Sequence, residues 1–307
     1  MTVLITGGRG AVARGLAALL AERGAAYRLA SREPTGAPPG AVHCDLTDPG
    51  TFPAALEGIR SVFLYAAAEH IDAFVEEAVR AGVEHVVLLS SSSVLDPGAR
   101  ENALAASHLA VEEALLAAPL RTTLLRPGSF ASNARSWARS IRSGAAVQLP
   151  HPGSHSDPVH EADLAEAAFA VLADPELGGR THTLTGPRSL TFLDQLEVLA
   201  EVLGRPVAHE EVTPQAWKDS VAAYLPGPYA DALLAHWAAG VGVPARISGS
   251  VELLTGHPAR SFAAWVEDHR EEFGGSANAK GPGPLARTGA LQQGRVPGPF
   301  NRVSDGT

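Results

Sequence analysis

A few short stretches carry the residue types and spacings that could do chemistry. TGGRGAVA (Thr6 to Ala13) places Gly7, Gly8, Gly10 and a small Ala13 in one turn. Ser31-Arg32 and then Asp45 follow, and a run of serines occupies Ser90, Ser91, Ser92 and Ser93. His108 interrupts an otherwise amphipathic stretch, NALAASHLAVEEALL (Asn102 to Leu116). The glycine spacing is Gly7-x-x-Gly10-x-x-Ala13. Gly7 allows a tight turn, Gly10 lets backbone approach a pyrophosphate, and Ala13 lets helix and strand pack closely in place of a third glycine. A helix opening at Ala11 would offer free N–H groups to the phosphates. Thr6, Gly7, Gly8, Arg9, Gly10, Ala11 and Val12 are therefore expected to cradle a dinucleotide.

About 20 residues past such a loop, an NAD site usually holds an acid that grips the ribose hydroxyls. This chain has Ser31-Arg32 there. A guanidinium suits a 2′-phosphate and cannot accept from a 2′-hydroxyl. Arg32, with Arg9 as the other jaw of a clamp, predicts NADP(H) rather than NAD(H). Asp45, in CDLTDP, is placed either to meet the adenine amino group or simply to form a turn. Leu46, Ala66, Ala67, Ser90 and Pro127 complete the expected cofactor contacts. For catalysis the candidates are His108, Ser91 and Ser92. The serines could equally make a strand-end turn that touches only cofactor, and His108 could be an ordinary helix histidine.

The elements that must position these groups alternate. Strands are expected at Thr2 to Thr6, Tyr27 to Ser31, Ala41 to Cys44, Ser61 to Ala66, His85 to Leu89 and Arg121 to Leu125. Helices are expected over Ala11 to Arg23, Ile71 to Ala81 and the His108 stretch. Strands joined by helices force a parallel sheet covered on both faces. The fold class is α/β, a Rossmann-type doubly wound sheet with a small C-terminal α/β lobe. We divide the chain into a binding core over 1–130, a substrate lobe interleaved with it over 131–273, and a tail from Gly274 to residue 307. That tail is Gly/Pro-rich and nearly free of acids, and is expected to be disordered. Within the lobe, helices are expected at Asp163 to Leu172, Phe192 to Leu203 and Ser261 to Phe273, a strand at Thr181 to Gly186, and a mostly helical Thr213 to Gly240.

Composition narrows the partners. A net charge of −9 over 307 residues argues against a nucleic-acid or anionic-membrane partner. No apolar run reaches the roughly 18 residues of a membrane helix. Cys44 is the only cysteine, so no disulfide forms within the chain. These features favour a soluble, cytoplasmic protein; a homodimer is left open. His151, His155, His160, Glu161 and Asp163 cluster in sequence, but without regular ligand spacing, so no metal is expected. Asp163 is expected to support a helix N-terminus. Trp217, Tyr224, Tyr229, Trp237 and Trp265 either line an apolar pocket or belong to the core.

TGGRGAVA, HVVLLSSSSV, HLAVEEALL, TTLLRPGSFASN, DPVHEADLAEAA, THTLTGPRSLTF and RSFAAWVEDHREEF together resemble the NmrA-like group of atypical short-chain dehydrogenases/reductases, over residues 1 to about 273. The resemblance implies a Rossmann core whose small lobe closes a substrate cleft beside the nicotinamide. It also implies that Leu104 and His108 stand at the positions of the Tyr and Lys that carry acid–base chemistry in typical members. Leu104 cannot transfer a proton, which disfavours sugar epimerisation and ordinary ketone reduction. Hydride transfer to a quinone or conjugated carbonyl needs only a modest donor, because the developing charge is delocalised. The expected function is an NADPH-dependent oxidoreductase acting on a small apolar or aromatic carbonyl compound. The alternative is a non-catalytic NADP(H)-binding redox sensor.

Overall fold

A computed structural model describes residues 2–33 and 40–274. The tail beyond Gly274 lies outside the described residues. β1 (Val3–Ile5), α1 (Ala11–Glu22), β2 (Tyr27–Ser31), β3 (Val42–His43), α2 (Phe52–Leu56), β4 (Ser61–Tyr65), α3 (Ile71–Arg80), β5 (His85–Leu89), α4 (Ala103–Ala117) and β6 (Arg121–Pro127) follow one another. The expected alternation holds, with boundaries moved by one or two residues. α2 carries no full amphipathic repeat and was not anticipated from the sequence.

The strands form a seven-stranded parallel sheet in the order β3-β2-β1-β4-β5-β6-β9, where β9 is Thr181–Leu184. The strand order reverses between β1 and β4, and the crevice beyond their C-terminal ends is where open sheets of this kind bind ligands. Both faces are buried, so the strands read as continuous apolar runs rather than alternating ones. Val3, Ile5, Phe63, Val87, Leu89 and Leu125 face α1 and α6 (Glu161–Ala173). Leu4, Val62, Leu64, Val86, Leu88 and Leu124 face the side covered by α2, α3 and α4.

The chain leaves this core after β6 and returns to it twice. It builds α5 (Ala138–Ser143), β7 (Val147–Leu149) and β8 (His155–Ser156), then comes back for α6 and β9. It leaves again for β10 (Leu190–Thr191), α7 (Phe192–Leu203), β11 (His209–Glu211), α8 (Pro214–Val221) and α9 (Gly227–Ala239), and ends with α10 (Ser250–Thr255) and α11 (Phe262–Asp268). α10 packs on the α1/α6 face of the core. The lobe has its own core, with Ile141, Val147, Leu149, Leu199, Phe262, Trp265, Val266 and Phe273 buried together. Trp265 is therefore core rather than pocket lining; Tyr224, 75% exposed, lines nothing enclosed. No helix among the described residues is long and apolar enough to cross a membrane.

Candidate functional site

The glycine loop lies where β1 gives way to α1, at the reversal of strand order. Gly7 has φ +64°, and Gly10 N–H donates to the Gly7 carbonyl at 2.7 Å, closing the turn. Tyr65, the last residue of β4, packs its ring beneath this loop. A Cβ at Gly7 would lie 2.6 Å from the ring, and one at Gly10 the same distance from the hydroxyl. The Ala13 N–H hydrogen-bonds the phenol oxygen, yet burial dominates and pushes the Tyr65 pKa up to about 12. Gly10 is the N-cap of α1 and contributes no side-chain cap, and the first turn holds no acid. A helix start with a bare glycine cap and no competing carboxylate fits the phosphates of a dinucleotide. Val12 and Ala13 are buried in the core and fix how the helix leaves the loop.

At the end of β2 the two arginines behave differently. Arg9 reaches Glu33 at 3.0 Å in an exposed ion pair, while Arg32 is exposed on the loop after Ser31. Glu33 was not singled out in the sequence, although it lies two residues past β2. Asp45 makes a turn: its Oδ1 accepts the Thr47 N–H at 2.9 Å and the Thr47 hydroxyl at 2.8 Å. Leu46, Ala66 and Ala67 are half-buried at the C-terminal edge of the sheet, and Pro127 ends β6 in a buried position.

The serine run separates into distinct roles. The Ser90 hydroxyl donates inward to Glu112 at 2.5 Å, and Arg126 grips the same carboxylate through Nε (2.9 Å) and Nη2 (2.5 Å). Glu112 is 2% exposed, so this clamp ties β5, α4 and β6 together beneath the cleft. Ser91 caps the short turn Ser92–Leu95, accepting the Ser93 N–H and sharing a hydrogen bond with the Ser93 hydroxyl at 2.9 Å. Ser92 is half-buried in the same turn. His108 faces this region from α4, one turn before Glu112. Its Nδ1 is buried with no hydrogen-bond partner among the described residues. Burial holds its pKa below the usual value, against the pull of Glu112. His108 is thus a neutral imidazole at pH 7, suited to hydrogen bonding more than to donating a proton.

Across β6 the cleft is bounded by Gly128, Ser129 and Asp157. The Asp157 carboxylate lies against Gly128, where a Cβ would run into it, and accepts from Ser129 N–H at 2.9 Å and Ser129 Oγ at 3.1 Å. Burial nevertheless raises the Asp157 pKa. α9 packs against α4 and α8. Its Trp237 packs edge-on against Trp217 at 4.9 Å and Phe192 at 5.5 Å, and Phe192 meets Trp137 at 5.9 Å. This aromatic row extends from the α8/α9 hairpin into the lobe.

One expectation about the lobe is refined. Asp163 does lie in the first turn of α6, but the cap is His160, whose Nδ1 accepts the Ala162 N–H at 3.1 Å. The buried Asp163 carboxylate is instead taken by Arg260, through backbone N–H and guanidinium. Asp163, Glu166 and His257 come together with the spacing of metal ligands. Arg260 also donates to Glu166, at 2.7 Å, so a fixed cation already neutralises that group. The arrangement reads as a clamp between α6 and the segment before α11.

Comparison with known proteins places this geometry. A family model described as NAD(P)H-binding matches residues 7–175. The chain belongs to that NAD(P)H-binding family. It is 34% identical over 280 residues, 88% of this chain and 99% of the relative, to a (4-alkanoyl-5-oxo-2,5-dihydrofuran-3-yl)methyl phosphate reductase of Streptomyces griseus. It is 27% identical over 259 residues to a nitrogen metabolite regulation-like protein of Gibberella fujikuroi, covering 74% of this chain and 79% of that one. An NADPH-dependent quinone oxidoreductase from Escherichia coli, solved with NADPH, shares the fold at TM-score 0.75 and 20% identity, over 87% of this chain and 99% of that one. The chain is an NmrA-like atypical short-chain dehydrogenase/reductase and stands among NAD(P)H-dependent oxidoreductases.

Proposed function

We propose that this protein is an NADPH-dependent reductase of a conjugated carbonyl compound, an acylated furanone or a quinone. The observation that carries the reading is the α4 surface of the cleft. On the resemblance, Leu104 and His108 occupy the Tyr and Lys positions, and His108 is half-buried with its Nδ1 enclosed and its pKa held below the usual value by burial. A cleft without a strong acid on α4 suits an acceptor whose negative charge spreads over a conjugated system. The Streptomyces relative supports this, since its named substrate, a methyl phosphate, carries an alkanoyl group and a ring carbonyl on an unsaturated ring. The row Trp217–Trp237–Phe192 supports a flat apolar guest.

The bound cofactor would supply a hydride. The chain's own residues would do the remaining work: Gly7 to Val12 hold the pyrophosphate, and the Glu112–Arg126 clamp fixes the ends of β5 and β6 below the reacting atoms. Arg9 and Arg32 support the 2′-phosphate preference. The phosphate would take over the Arg9 guanidinium now held by Glu33.

Oxidation of NADPH, followed by absorbance against quinones and acylated furanones with NADH alongside, tests the reading. Turnover with NADPH is expected, and Arg32→Asp should lower kcat/KM for NADPH by on the order of tenfold or more. Tight NADP(H) binding without turnover would favour the redox sensor, and binding of neither cofactor would overturn both.

A further inference from the structure

A reductase still has to protonate the oxygen it reduces, and the groups nearest the serine run are already committed. Ser90 is bonded to Glu112, Ser91 to Ser93, and His108 is held neutral. Another titratable group approaches from the opposite side. His236 lies in the last turn of α9 with its Nδ1 3.4 Å from Asp96 Oδ2. Asp96 ends the turn that begins at Ser91, just beyond β5. Asp157, just past β8, has its carboxylate over Gly128, which follows β6, and its charge also acts on the imidazole. β5 and β6 are neighbours in register, Leu89 beside Leu125. His236 is therefore tied to the end of the serine turn beyond β5, within the field of Asp157 beside the end of β6.

The position of His236 is built. Trp237 beside it is held between Trp217 and Phe192. The end of α9 is pinned to the β8 loop, where His155 N–H donates to the Gly240 carbonyl at 3.0 Å and Ser154 bridges Val241.

Resting on the reductase reading above, we infer that His236 is the proton donor of this enzyme, oriented by Asp96 and delivered to the cleft by the lobe. The β-carbon of the conjugated acceptor would receive a hydride, with its electron pair, from the reduced nicotinamide. The C=C π pair shifts to join the α-carbon to the carbonyl carbon, the C=O π pair moves onto oxygen, and that oxygen takes the proton from Nε2 of the His236 imidazolium. The products are oxidised cofactor, an enol that tautomerises to the saturated carbonyl compound, and neutral His236. The half-exposed ring then regains a proton from water.

The electrostatics agree with this role. The hydrogen bond donated to Asp96 is the largest influence on His236 and raises its pKa above the ordinary histidine value, burial opposes, and Asp157 adds to the rise. A helix C-terminus also favours a cation. The other charged groups near the α9 contact are directed elsewhere: Asp231 pairs with Lys218 at 2.5 Å, and Glu101 faces the Pro228–Asp231 end of the helix. The imidazolium must be protonated to act, so turnover should fall as pH rises through its pKa.

The test compares an acylated furanone, whose reduction needs the proton, with 1,4-benzoquinone, whose reduced anion is stable enough to need little help. His236→Gln should lower kcat on the furanone by about 100-fold, the lower end for general-acid catalysis, and quinone turnover by only about threefold or less. Asp96→Asn, at a half-exposed site, should move the high-pH fall in furanone turnover to lower pH. NMR titration of the His236 ring protons in the Asp96→Asn protein should show the same downward move without any substrate present. An unchanged furanone rate and pH profile in both variants would overturn the inference and leave the reductase standing. Folded, cofactor-binding protein that turns over neither acceptor would overturn both.

Discussion

On one side of the cleft the loop from Thr6 to Ala13 is contiguous and made of backbone. Gly7 turns it, Gly10 closes it, and Tyr65 fills the space that side chains would need. On the other side Asp96, Asp157 and His236 come from widely separated segments and meet only because α9 docks against the β5 and β8 loops. The first arrangement recognises what every dinucleotide shares and admits little variation. The second depends on side chains that can change one at a time without disturbing the sheet. A family can therefore keep its cofactor while changing its acceptor, and the substrate side is where this chain should be asked what it reduces.

The contrast can be broken most sharply at Gly7. Gly7→Val adds a branched side chain at φ +64° and against the Tyr65 ring. NADPH affinity, read by fluorescence titration, should fall by on the order of 100-fold while the far-UV spectrum stays native. Next is the clamp shared by both sides. Glu112→Ala leaves Arg126 buried without its carboxylate, and the loss of a buried partner costs about 3 kcal/mol. The melting temperature should drop clearly. Removing the more exposed Glu166 from its pair with Arg260 should cost less than half as much. The smallest effect sharpens the comparison from the substrate side. Trp217→Ala removes the edge contact with Trp237, and an aromatic pair of this kind is worth about 1 kcal/mol. KM for a quinone should rise about fivefold, with NADPH affinity unchanged.

The same contrast explains what could be read from the sequence. β1, β2, β4, β5 and β6 announce themselves as short apolar runs because both faces of the sheet are buried, and the glycine spacing places the phosphate site directly. β7, β8, β10 and β11 have three residues or fewer, too short to carry a period. Glu112 looked like one more acid on an amphipathic helix, and Arg126 like part of a motif. Only the adjacency of β5, α4 and β6 reveals that they are partners for Ser90. Asp163 was legible only in part: it lies in the first turn of α6 as its position suggested, but its buried carboxylate also takes a cation from a distant segment, Arg260. His236 carried no local signal at all. Asp96 and Asp157 lie far from it in the chain, and no spacing rule connects them.

The return of the chain to the sheet at β9 has a consequence for synthesis. When a ribosome has released residues up to the end of β6, that strand is still an open edge and the α1 face of the sheet still lacks α6. Unpaired backbone at an edge and an uncovered apolar face are the features that invite association between chains. The nascent protein carries the uncovered face until α6 has emerged at Ala173, and the open β6 edge until Leu184 has emerged. A gene cut after residue 130 would make that transient exposure permanent.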